Sequence, residues 1–469
     1  MDNKLIKQFI SVVGTKYALT KDDDLTHYTH ENRGLYIGNT PLVLKPANTQ
    51  QISKIMILAA ETKTSVVPQG GHTGHVGGAV SDTSGNQIIV SLERMNKIRE
   101  VDLQGDIIVC EAGVILETVQ KLADDNNRLF PLALGSQGSC QIGGNIATNA
   151  GGTGVLAYGN TRALVMGVEV VLPSGEIWNG LRRLKKDNTG YDLKNLFIGS
   201  EGTLGIITAA VLKLFPKPRG KAVAFCGLQS PDDALKIFAK TSSLAGQSLT
   251  AFELMARIPL EFTLKHIENV RNPLSEVHNW HILIEVSSNR SQEDADDTLQ
   301  TILEEAFSDK TIEDATLSTS LAQANDFWRI REMMPTSQKY EGGSMKHDVS
   351  VPLHLIPQFL EQADEIIKRE MPDARLCTFG HMGDGNMHYN ISQPTGTDKA
   401  EFLSYQPQIN NFIHDLIISM NGSVAAEHGV GQLKRDLLAR TKDPVEFELM
   451  RSIKQTLDPD NIMNPGKVI

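Results

Sequence analysis

Cysteine is scarce in this sequence, and the few cysteines are isolated. Four occur in 469 residues, at positions 110, 140, 226 and 377, and no two of them form a C-x-x-C pair. This spacing argues against a disulfide framework, a cysteine-based zinc site and an iron–sulfur cluster. Basic residues are also in deficit, because the formal net charge is -11 and no basic stripe occurs. The chain is therefore not expected to bind nucleic acid, since phosphate neutralisation needs clustered Lys and Arg.

Long apolar runs are missing as well. No stretch approaches the roughly 18 uninterrupted apolar residues that a membrane-spanning helix needs. The N-terminus, from Met1 to Thr15, alternates apolar and charged residues and lacks the apolar core of a signal peptide. The acidic residues Asp2 and Asp22 to Asp24 disfavour a transit peptide. We therefore expect a cytoplasmic protein with no membrane span.

The chain is too long for one hydrophobic core, so two or three domains are expected. In the first half, short strand patterns alternate with helices, including one that Asn48 caps. The run from Pro216 to Gly220 interrupts regular structure and is the best domain boundary. Beyond it, strands alternate with helices such as the one that starts at Ser230 and Pro231. This alternation predicts an α+β, ferredoxin-like second domain.

Glycine is concentrated in two clusters of the first half. The first is Gly70-Gly-His-Thr-Gly74-His75, which continues to Gly78, and the second extends from Gly135 to Thr153. Consecutive glycines let backbone amides converge on an anion, and a pyrophosphate is the natural ligand. Neither cluster has the G-x-G-x-x-G pattern of a Rossmann NAD site. Two tight turn regions without a ligand are the plainer alternative.

A candidate hairpin carries two histidines. In His381-Met-Gly-Asp384-Gly385-Asn-Met-His388, the Asp-Gly pair is a strong signal for a two-residue turn. A turn centred there places His381 directly opposite His388, with Asn390 on the same face. Two adjacent imidazoles form half of a zinc-type site, although a structural histidine pair is the commoner arrangement.

A carboxylate and an imidazole, Glu427 and His428, stand side by side among small residues, before a predicted helix at 432–438. Glu427 would complete a His-His-carboxylate set with open coordination positions, as in a catalytic metal site. Zinc suits this set best, while manganese and iron remain open.

Several long motifs resemble one flavoprotein family. They are the run Gly135 to Thr153, the run Lys186 to Asp192, the run Phe197 to Thr208 and the C-terminal Asn464-Pro-Gly-Lys467. Together they resemble the vanillyl-alcohol-oxidase-type flavoproteins, and within them the D-2-hydroxyglutarate, D-lactate and glycolate dehydrogenase branch. The resemblance implies an α+β chain: a two-part (PCMH-type) FAD-binding domain at 1–217, a ferredoxin-like substrate domain with the metal hairpin at 218–415, and a helical C-terminal segment at 416–469 that completes the active site.

The resemblance also implies FAD-binding positions, and most of them lie in the glycine clusters. They are Gly70, Gly71, His72, Thr73, Gly74, His75, Gly138, Gly143, Gly144, Asn149, Gly151 and Gly152, joined by Ile206, Ile207 and Asn464. Some superfamily members attach the flavin covalently through a loop histidine. The hydroxy-acid branch binds it non-covalently, so we expect His72 and His75 to be ordinary polar loop residues.

By the same resemblance, a divalent ion bound by His381, His388 and Glu427 would hold the 2-hydroxyl and one carboxylate oxygen of the substrate. His428 would remove the hydroxyl proton before hydride passes to the flavin. Arg331, Lys346 and Asn390 match the family's substrate-binding residues, although without the family any one Lys or Arg is better explained as a surface charge. We expect Arg329 to face solvent.

One position departs from the family pattern. The D-2-hydroxyglutarate dehydrogenases carry a Thr four residues after this Arg, whereas this chain has Pro335 followed by Thr336. The departure puts the length of the substrate in question.

The expected activity is oxidation of a D-2-hydroxy acid, with D-2-hydroxyglutarate ahead of D-lactate or glycolate. The alternatives are an oxygen-using oxidase of the same fold and a flavin-binding subunit of a glycolate-oxidase-like complex. The sequence contains no second cofactor motif. We therefore expect an external electron acceptor: an electron-transfer flavoprotein, a cytochrome or a quinone. A homodimer stays open as the assembly.

Overall fold

The computed structural model describes residues 1–31 and 33–469. The strands of this part of the chain are β1 (Ala18–Leu19), β2 (Val43–Leu44), β3 (Val66–Gln69), β4 (Ile88–Ser91), β5 (Ile98–Asp102), β6 (Ile107–Glu111), β7 (Arg128–Leu129), β8 (Val165–Val171), β9 (Ile177–Gly180), β10 (Ile206–Lys213), β11 (Phe215–Pro216), β12 (Gly220–Leu228), β13 (Leu249–Ala256), β14 (Trp280–Ser288), β15 (Asp314–Leu317), β16 (Ser344–Ser350), β17 (Arg375–His381) and β18 (Asn386–Ser392).

Its α-helices are α1 (Asn3–Val13), α2 (Asp22–Thr29), α3 (Thr49–Thr62), α4 (Leu116–Asp125), α5 (Ile142–Ala147), α6 (Val155–Tyr158), α7 (Thr161–Leu164), α8 (Lys194–Phe197), α9 (Pro231–Ala245), α10 (Arg257–His266), α11 (Gln292–Ser308), α12 (Leu321–Ser337), α13 (Ile356–Glu370), α14 (Lys399–Ser404), α15 (Gln406–Ser419), α16 (Arg435–Thr441) and α17 (Pro444–Leu457). Predicted caps are confirmed, since the Asn48 side chain accepts from the amide of Gln51 and that of Ser230 from the amide of Asp233.

The chain forms two compact units. The first contains residues 1–151, 159–216 and 427–469, and the second contains residues 152–158 and 217–426. The predicted boundary after residue 217 lies within one residue of the transition at Pro216–Lys217. The predicted C-terminal part at 416–469 is divided, because 416–426 belong to the second unit and 427–469 pack with the first. This packing uses long-range pairing, such as the bridge between Val66 and Met463.

The first unit contains two main sheets. One has the order β1-β2-β4-β3, in which β2, β4 and β3 are parallel, and the other is antiparallel with the order β5-β6-β10-β8-β9. Strands β8 and β9 form a hairpin around the turn at 173–175, with Val171 opposite Ile177. A shared apolar core joins α1 and α3 to both sheets, with Phe9, Ile52 and Val90 fully buried. The first glycine cluster follows β3 and the second leads into α5.

The second unit is built on one antiparallel sheet with the order β15-β12-β14-β13-β17-β18-β16. The chain order β12-α9-β13-β14-α11-β15 is the β-α-β-β-α-β pattern of a ferredoxin-like fold, with α10 inserted between β13 and β14. The predicted ferredoxin-like domain is therefore present, and three further strands extend its sheet beyond β13.

The two faces of this sheet carry different side chains. Alternate residues of each strand pack on a large core with α9, α11, α13 and α15, and we call this side the core face. The opposite side packs against α10 and α12 over β12, β13, β14 and β17. On β16 and β18 that opposite side is polar, so we call it the polar face. It presents Lys346, Asp348, Asn386, His388 and Asn390, while the core face of the same strands presents Met345, Val349, Met387, Tyr389 and Ile391.

A charged cluster ties α10 to β17 in this unit. Glu341 contacts Lys265 at 2.7 Å and His266 at 2.5 Å, and it also binds Arg375. Burial alone would raise the pKa of Glu341, but these three hydrogen-bonded partners hold the pKa at about 2. The carboxylate is therefore ionised at neutral pH and stabilises the unit there.

All four cysteines are free and buried. None of the helices formed by residues 1–31 and 33–469 has the length and hydrophobicity of a membrane-spanning segment.

Candidate functional site

The first glycine cluster forms a loop that is held by Gln69, the last residue of β3. The Gln69 side-chain amide donates to the carbonyls of Tyr28 at 2.9 Å and Ala79 at 2.8 Å. Within the described residues, the amides of Gly71, Thr73 and Gly74 donate to no protein acceptor. A side chain at Gly74 would meet no atom within 4 Å, so the backbone is open to a ligand there. Unsatisfied amides beside open space fit an anionic group such as a pyrophosphate.

Both ring nitrogens of His72 take part in hydrogen bonds within this loop. Nε2 lies 2.8 Å from the carbonyl of His30, and Nδ1 lies 3.1 Å from the side-chain amide of Gln69. The carbonyl accepts only, so Nε2 carries the proton and Nδ1 accepts. Burial lowers the pKa of His72, which keeps the ring neutral. This bonding supports the expected role of a polar loop residue over covalent attachment of a flavin.

The second glycine cluster packs closely against β6. The Gly143 amide donates to the carbonyl of Ala112 at 2.7 Å, and a Cβ atom at Gly143 would lie 2.6 Å from that of Ala112. Glycine is therefore required by this close approach. A Cβ at Gly144, in contrast, meets no atom within 4 Å, so its backbone is open like that of Gly74.

The end of the second cluster is fixed by α7. Asn149 has a φ of 49° and its side-chain oxygen accepts from the amide of Arg162 at 2.9 Å. Gly151 is the last residue of segment 1–151 of the first unit. Gly152 is the first residue of segment 152–158, which belongs to the second unit. A Cβ atom placed at Gly138 would lie 3.5 Å from the Glu117 carboxylate.

Ile206 and Ile207 begin β10, opposite Val171 and Val170, and both are buried. The C-terminal Asn464 contacts the first glycine cluster and the separate segment that contains Glu201. Its side-chain amide donates to the carbonyls of Gly78 at 2.9 Å and Glu201 at 2.8 Å. Its Oδ1 atom is buried and has no partner among the described residues. Such an unsatisfied acceptor is costly unless a ligand donates to it. The first unit thus fits a flavin dinucleotide through open amides and an open acceptor.

Glu201 holds the segment that carries Glu427 and His428, a role that sequence reasoning missed. Its carboxylate accepts from the amides of Val430 at 2.7 Å and Gly431 at 2.8 Å. Burial raises the pKa of Glu201, while these two amides oppose the change. The only sequence signal is an acid between two glycines, in Gly199-Ser-Glu-Gly202. His428 itself lies with its ring edge-on to His75, at 4.8 Å between centroids.

The hairpin of the second unit has a different register from the one predicted. The prediction of a two-residue turn that places His381 opposite His388 is wrong. A four-residue connection containing the 3₁₀ turn Met382–Asp384 joins the strands, so His381 pairs with Asn386 and His388 with Phe379. Both histidines still point to the polar face because the register differs by an even number of residues. Their ring centroids lie 5.5 Å apart.

A buried carboxylate, Glu253 of β13, connects two of the predicted site residues. One oxygen lies 2.7 Å from Nδ1 of His381, and the other lies 2.7 Å from Nε of Arg331 on α12. Burial opposes ionisation, but the His381 and Arg331 partners hold the pKa of Glu253 below its ordinary value. Glu253 was missed from sequence, although a lone acid inside an apolar strand pattern was its signal.

Arg331 is almost fully buried and its guanidinium group is only partly satisfied. Nη2 has no hydrogen-bond partner among the described residues, and the group lies 4.9 Å from the centroid of the Phe379 ring. An unpaired buried donor of this kind fits a carboxylate ligand. Arg329, two residues earlier, is exposed as predicted and donates to the carbonyl of Glu268.

His388 is paired across the sheet with a second buried acid. Asp348 of β16 lies opposite it, with 3.9 Å between Oδ1 and the Nδ1 atom of His388. Asn386 donates to the same carboxylate at 3.0 Å and has a buried Oδ1 atom without a partner in the described part of the chain. Each histidine of the hairpin thus presents Nδ1 to a carboxylate. Asp348 and Asn386 were not predicted as site residues.

The remaining predicted substrate residues also lie on the polar face. Lys346 is exposed and lies within β16, opposite Asn390. Asn390 is buried and donates to Gln338 at 3.2 Å. Pro335 lies inside α12 and donates no amide hydrogen bond to the carbonyl of Arg331, one turn earlier.

The segment that precedes Glu427 contacts β16 of this sheet. Ser423 bridges to Ser350, and the amide of Ala426 lies 3.4 Å from the carbonyl of Asp348. Glu427 is covalently the next residue. The helix predicted at 432–438 is present as α16, which begins at Arg435.

The chain matches two protein families. Residues 217–468 match the family described as FAD linked oxidases, C-terminal domain, and residues 40–180 match the family described as FAD binding domain. The first match alone covers more than half of the chain.

Relatives extend over the whole chain. The D-2-hydroxyglutarate–pyruvate transhydrogenase of Saccharomyces cerevisiae is 35% identical over 100% of this chain and 95% of its own length. The mitochondrial D-2-hydroxyglutarate dehydrogenase of Arabidopsis thaliana is 36% identical over 100% of this chain and 82% of its own length. The D-2-hydroxyglutarate dehydrogenase of Xanthomonas citri pv. viticola is 35% identical over 96% and 93%.

Solved structures show the same fold at low identity. p-Cresol methylhydroxylase has a TM-score of 0.77 and 17% identity over 99% of this chain and 96% of that chain. Alkyldihydroxyacetonephosphate synthase has a TM-score of 0.75 and 17% identity over 99% and 85%. The predicted α+β flavoprotein fold, the FAD cofactor and the dehydrogenase class are confirmed. This chain belongs to the FAD-linked oxidase family, in the branch of the D-2-hydroxyglutarate dehydrogenases.

Proposed function

We propose that this protein oxidises D-2-hydroxyglutarate to 2-oxoglutarate. The relatives named for this substrate cover the chain nearly end to end. The observation that carries the proposal is Arg331 of α12, a buried guanidinium group with an unpaired Nη2 donor that is joined to His381 through Glu253. A buried Arg with an open donor selects an anionic partner, and a carboxylate matches its planar geometry.

Each of the predicted site residues has a distinct role in the proposed reaction. Arg331 binds a substrate carboxylate, Lys346 adds a positive charge, and Asn390 orients the bound acid. His428 removes the proton of the 2-hydroxyl group as general base, a role in which a ring nitrogen accepts the proton. Bound FAD supplies the two-electron acceptor for the hydride at C2.

We also propose that His381, His388 and Glu427 hold a divalent ion, with zinc favoured. Glu253 accepts from Nδ1 of His381, so the Nε2 atom of that ring carries the lone pair with which a histidine ligates a metal. The two rings offer ligand nitrogens within 4.8 Å of each other. Two imidazoles and a carboxylate are a typical catalytic zinc set. The chemistry that such an ion supplies is Lewis-acid polarisation of the 2-hydroxyl group.

Anaerobic flavin bleaching tests the substrate proposal. We expect D-2-hydroxyglutarate to bleach the flavin fastest among D- and L-2-hydroxyglutarate, D- and L-lactate and glycolate. Chelator should slow bleaching and Zn²⁺ should restore it. Equal rates with the L-acids would contradict the proposal, and unchanged rates after metal removal would contradict the metal.

The acceptor is tested with the reduced enzyme. We propose an external acceptor, namely an electron-transfer flavoprotein, a cytochrome or a quinone. Fast reoxidation by air would instead identify an oxidase, and co-purifying subunits would indicate a glycolate-oxidase-like complex. Pyruvate is a second candidate, because the name of the yeast relative pairs it with D-2-hydroxyglutarate. Anaerobic recovery of flavin absorbance on addition of pyruvate, with D-lactate formed, would support it. The cytoplasmic location and the homodimer stay predictions.

A further inference from the structure

Glu253 is the most completely buried acid that contacts the proposed site, with 1% of its surface exposed. It lies on β13, opposite the hairpin strand β17. Its two carboxylate oxygens face two different partners, His381 and Arg331, each at 2.7 Å. These partners belong to the proposed metal site and the proposed carboxylate-binding site. One side chain therefore connects the two.

We propose that Glu253 is a positioning residue that fixes His381 and Arg331 together, so that metal binding and substrate-carboxylate binding depend on the same buried carboxylate. This inference rests on the proposed function. Glu253 would act through its two neighbours, without contacting substrate.

The first half of the argument concerns His381. An ionised carboxylate only accepts hydrogen bonds, so Nδ1 of His381 must carry the ring proton. The ring is then in the tautomer whose Nε2 atom ligates a metal, and its plane is fixed by the bond. Carboxylate partners of this kind are the usual support of a metal-ligating histidine.

The second half concerns Arg331. The bond from Nε to Glu253 and the contact with the Phe379 ring, 4.9 Å away, fix the plane of the guanidinium group. Because the group is rigid, fixing Nε also fixes the direction of Nη2, the donor without a partner in the described residues. A neutral residue cannot replace Glu253 in both tasks. Glutamine has one acceptor oxygen, so its NH₂ group must face one of the two N–H donors.

The plainer explanation is that Glu253 only neutralises a buried arginine. A comparison of Glu253→Gln with Glu285→Gln separates the two explanations. Glu285 is also a buried strand carboxylate, and it binds α12 through Trp328 at 2.7 Å and β13 through Thr250 at 2.8 Å. It contacts neither His381 nor Arg331 through any hydrogen bond, so it is a matched control.

The experiment uses the full-length, FAD-loaded protein. Zn²⁺ affinity is measured by competition with a chromophoric chelator, and 2-oxoglutarate affinity by perturbation of the flavin spectrum at saturating Zn²⁺. For Glu253→Gln we expect Zn²⁺ affinity to fall by about 10- to 100-fold and 2-oxoglutarate affinity by about tenfold or more. Glu285→Gln should stay within twofold for both ligands. If either affinity of Glu253→Gln stays within twofold of wild type, the coupling is overturned.

Two controls keep the test decisive. If Glu253→Gln fails to fold because Arg331 becomes an unpaired buried cation, the double variant E253Q/R331M removes both charges. Its Zn²⁺ affinity should be about 10- to 100-fold below that of R331M, and equality within twofold would overturn the inference. If wild type binds no Zn²⁺, the metal part of the proposed function fails separately. The 2-oxoglutarate titration then decides whether Glu253 positions Arg331.

Discussion

Replacing Arg331 with lysine keeps the positive charge but removes the planar guanidinium group, which donates to Glu253 and has a second donor open to a ligand. Nε of Arg331 is bound to Glu253 at 2.7 Å, and the buried Nη2 atom has no partner in the described part of the chain. A lysine ammonium can satisfy Glu253, yet it has no second donor in a fixed position. We therefore expect Arg331→Lys to fold, to bind FAD and to lose a substrate contact.

The expected decrease in kcat/KM follows from the free energy of the hydrogen bond that Arg331 donates to the substrate carboxylate. A hydrogen bond between charged groups contributes about 1.5–3 kcal/mol, and about 1.4 kcal/mol is a factor of ten. The kcat/KM for D-2-hydroxyglutarate should therefore fall by about 10- to 150-fold. Burial places the effect at the upper end, since water does not compete for the donor.

Steady-state kinetics with a dye acceptor measure this loss. Arg329→Lys is the matched control, because Arg329 is exposed on the same helix, and its kcat/KM should change less than twofold. D-Lactate serves as a second substrate that lacks the distal carboxylate. A loss confined to D-2-hydroxyglutarate would assign Arg331 to the distal carboxylate, and an equal loss with both acids would assign it to the C1 carboxylate. Unchanged kinetics with both substrates would refute the assignment of Arg331 to carboxylate binding.

Three further predictions concern the metal, the cofactor and stability. His381→Gln should lower Zn²⁺ content after dialysis at least tenfold, measured by mass spectrometry, while exposed His354→Gln should leave it unchanged. Gly74→Ala should reduce FAD retention without lowering the melting temperature of the apoprotein. The added Cβ atom meets no protein atom, but it occupies the open space beside the amides that are proposed to bind FAD. A normal FAD content would contradict this prediction. The Glu341 carboxyl has a folded-state pKa lowered from 4.5 to about 2, so its stabilisation is complete above pH 4.5 and is lost as pH falls towards 2. Glu341→Gln should therefore cost about 1–3 kcal/mol in urea unfolding at pH 7 and much less near pH 3, and a cost independent of pH would count against it.

The hairpin shows how far local patterns determine a site. The Asp-Gly signal located the turn correctly, but it did not determine the length of the connection. His381 pairs with Asn386 because four residues, instead of two, join the strands. The prediction that both histidines lie on one face still holds. Side chains alternate between the two faces with a period of two, and the register differs from the predicted one by an even number of residues. The two predicted histidines therefore lie on one face of the sheet although their pairing was wrong.

The missed residues share a different property. Glu253 is 128 residues from His381 in sequence, and Glu201 is 229 residues from Val430. Both act by accepting from groups that only the tertiary fold brings to them. A local pattern can mark such an acid as unusual, as with Glu253 inside an apolar strand, but it cannot name the partner. The same limit applied to residues 427–469, whose packing with the first unit depends on pairing with β3.

The core face of the second unit also determines which residues reach the polar face. On β16 and β18, fully or nearly fully buried side chains such as Met345, Val349 and Tyr389 alternate with the polar residues of the site. A slip of one residue would turn Asp348 and His388 into the apolar core. Each buried polar group without a partner costs about 1–3 kcal/mol, and the apolar contacts of the core would be lost as well. The apolar residues opposite the site therefore fix the register of these strands, and the register in turn sets which side chains can bind a metal or a substrate.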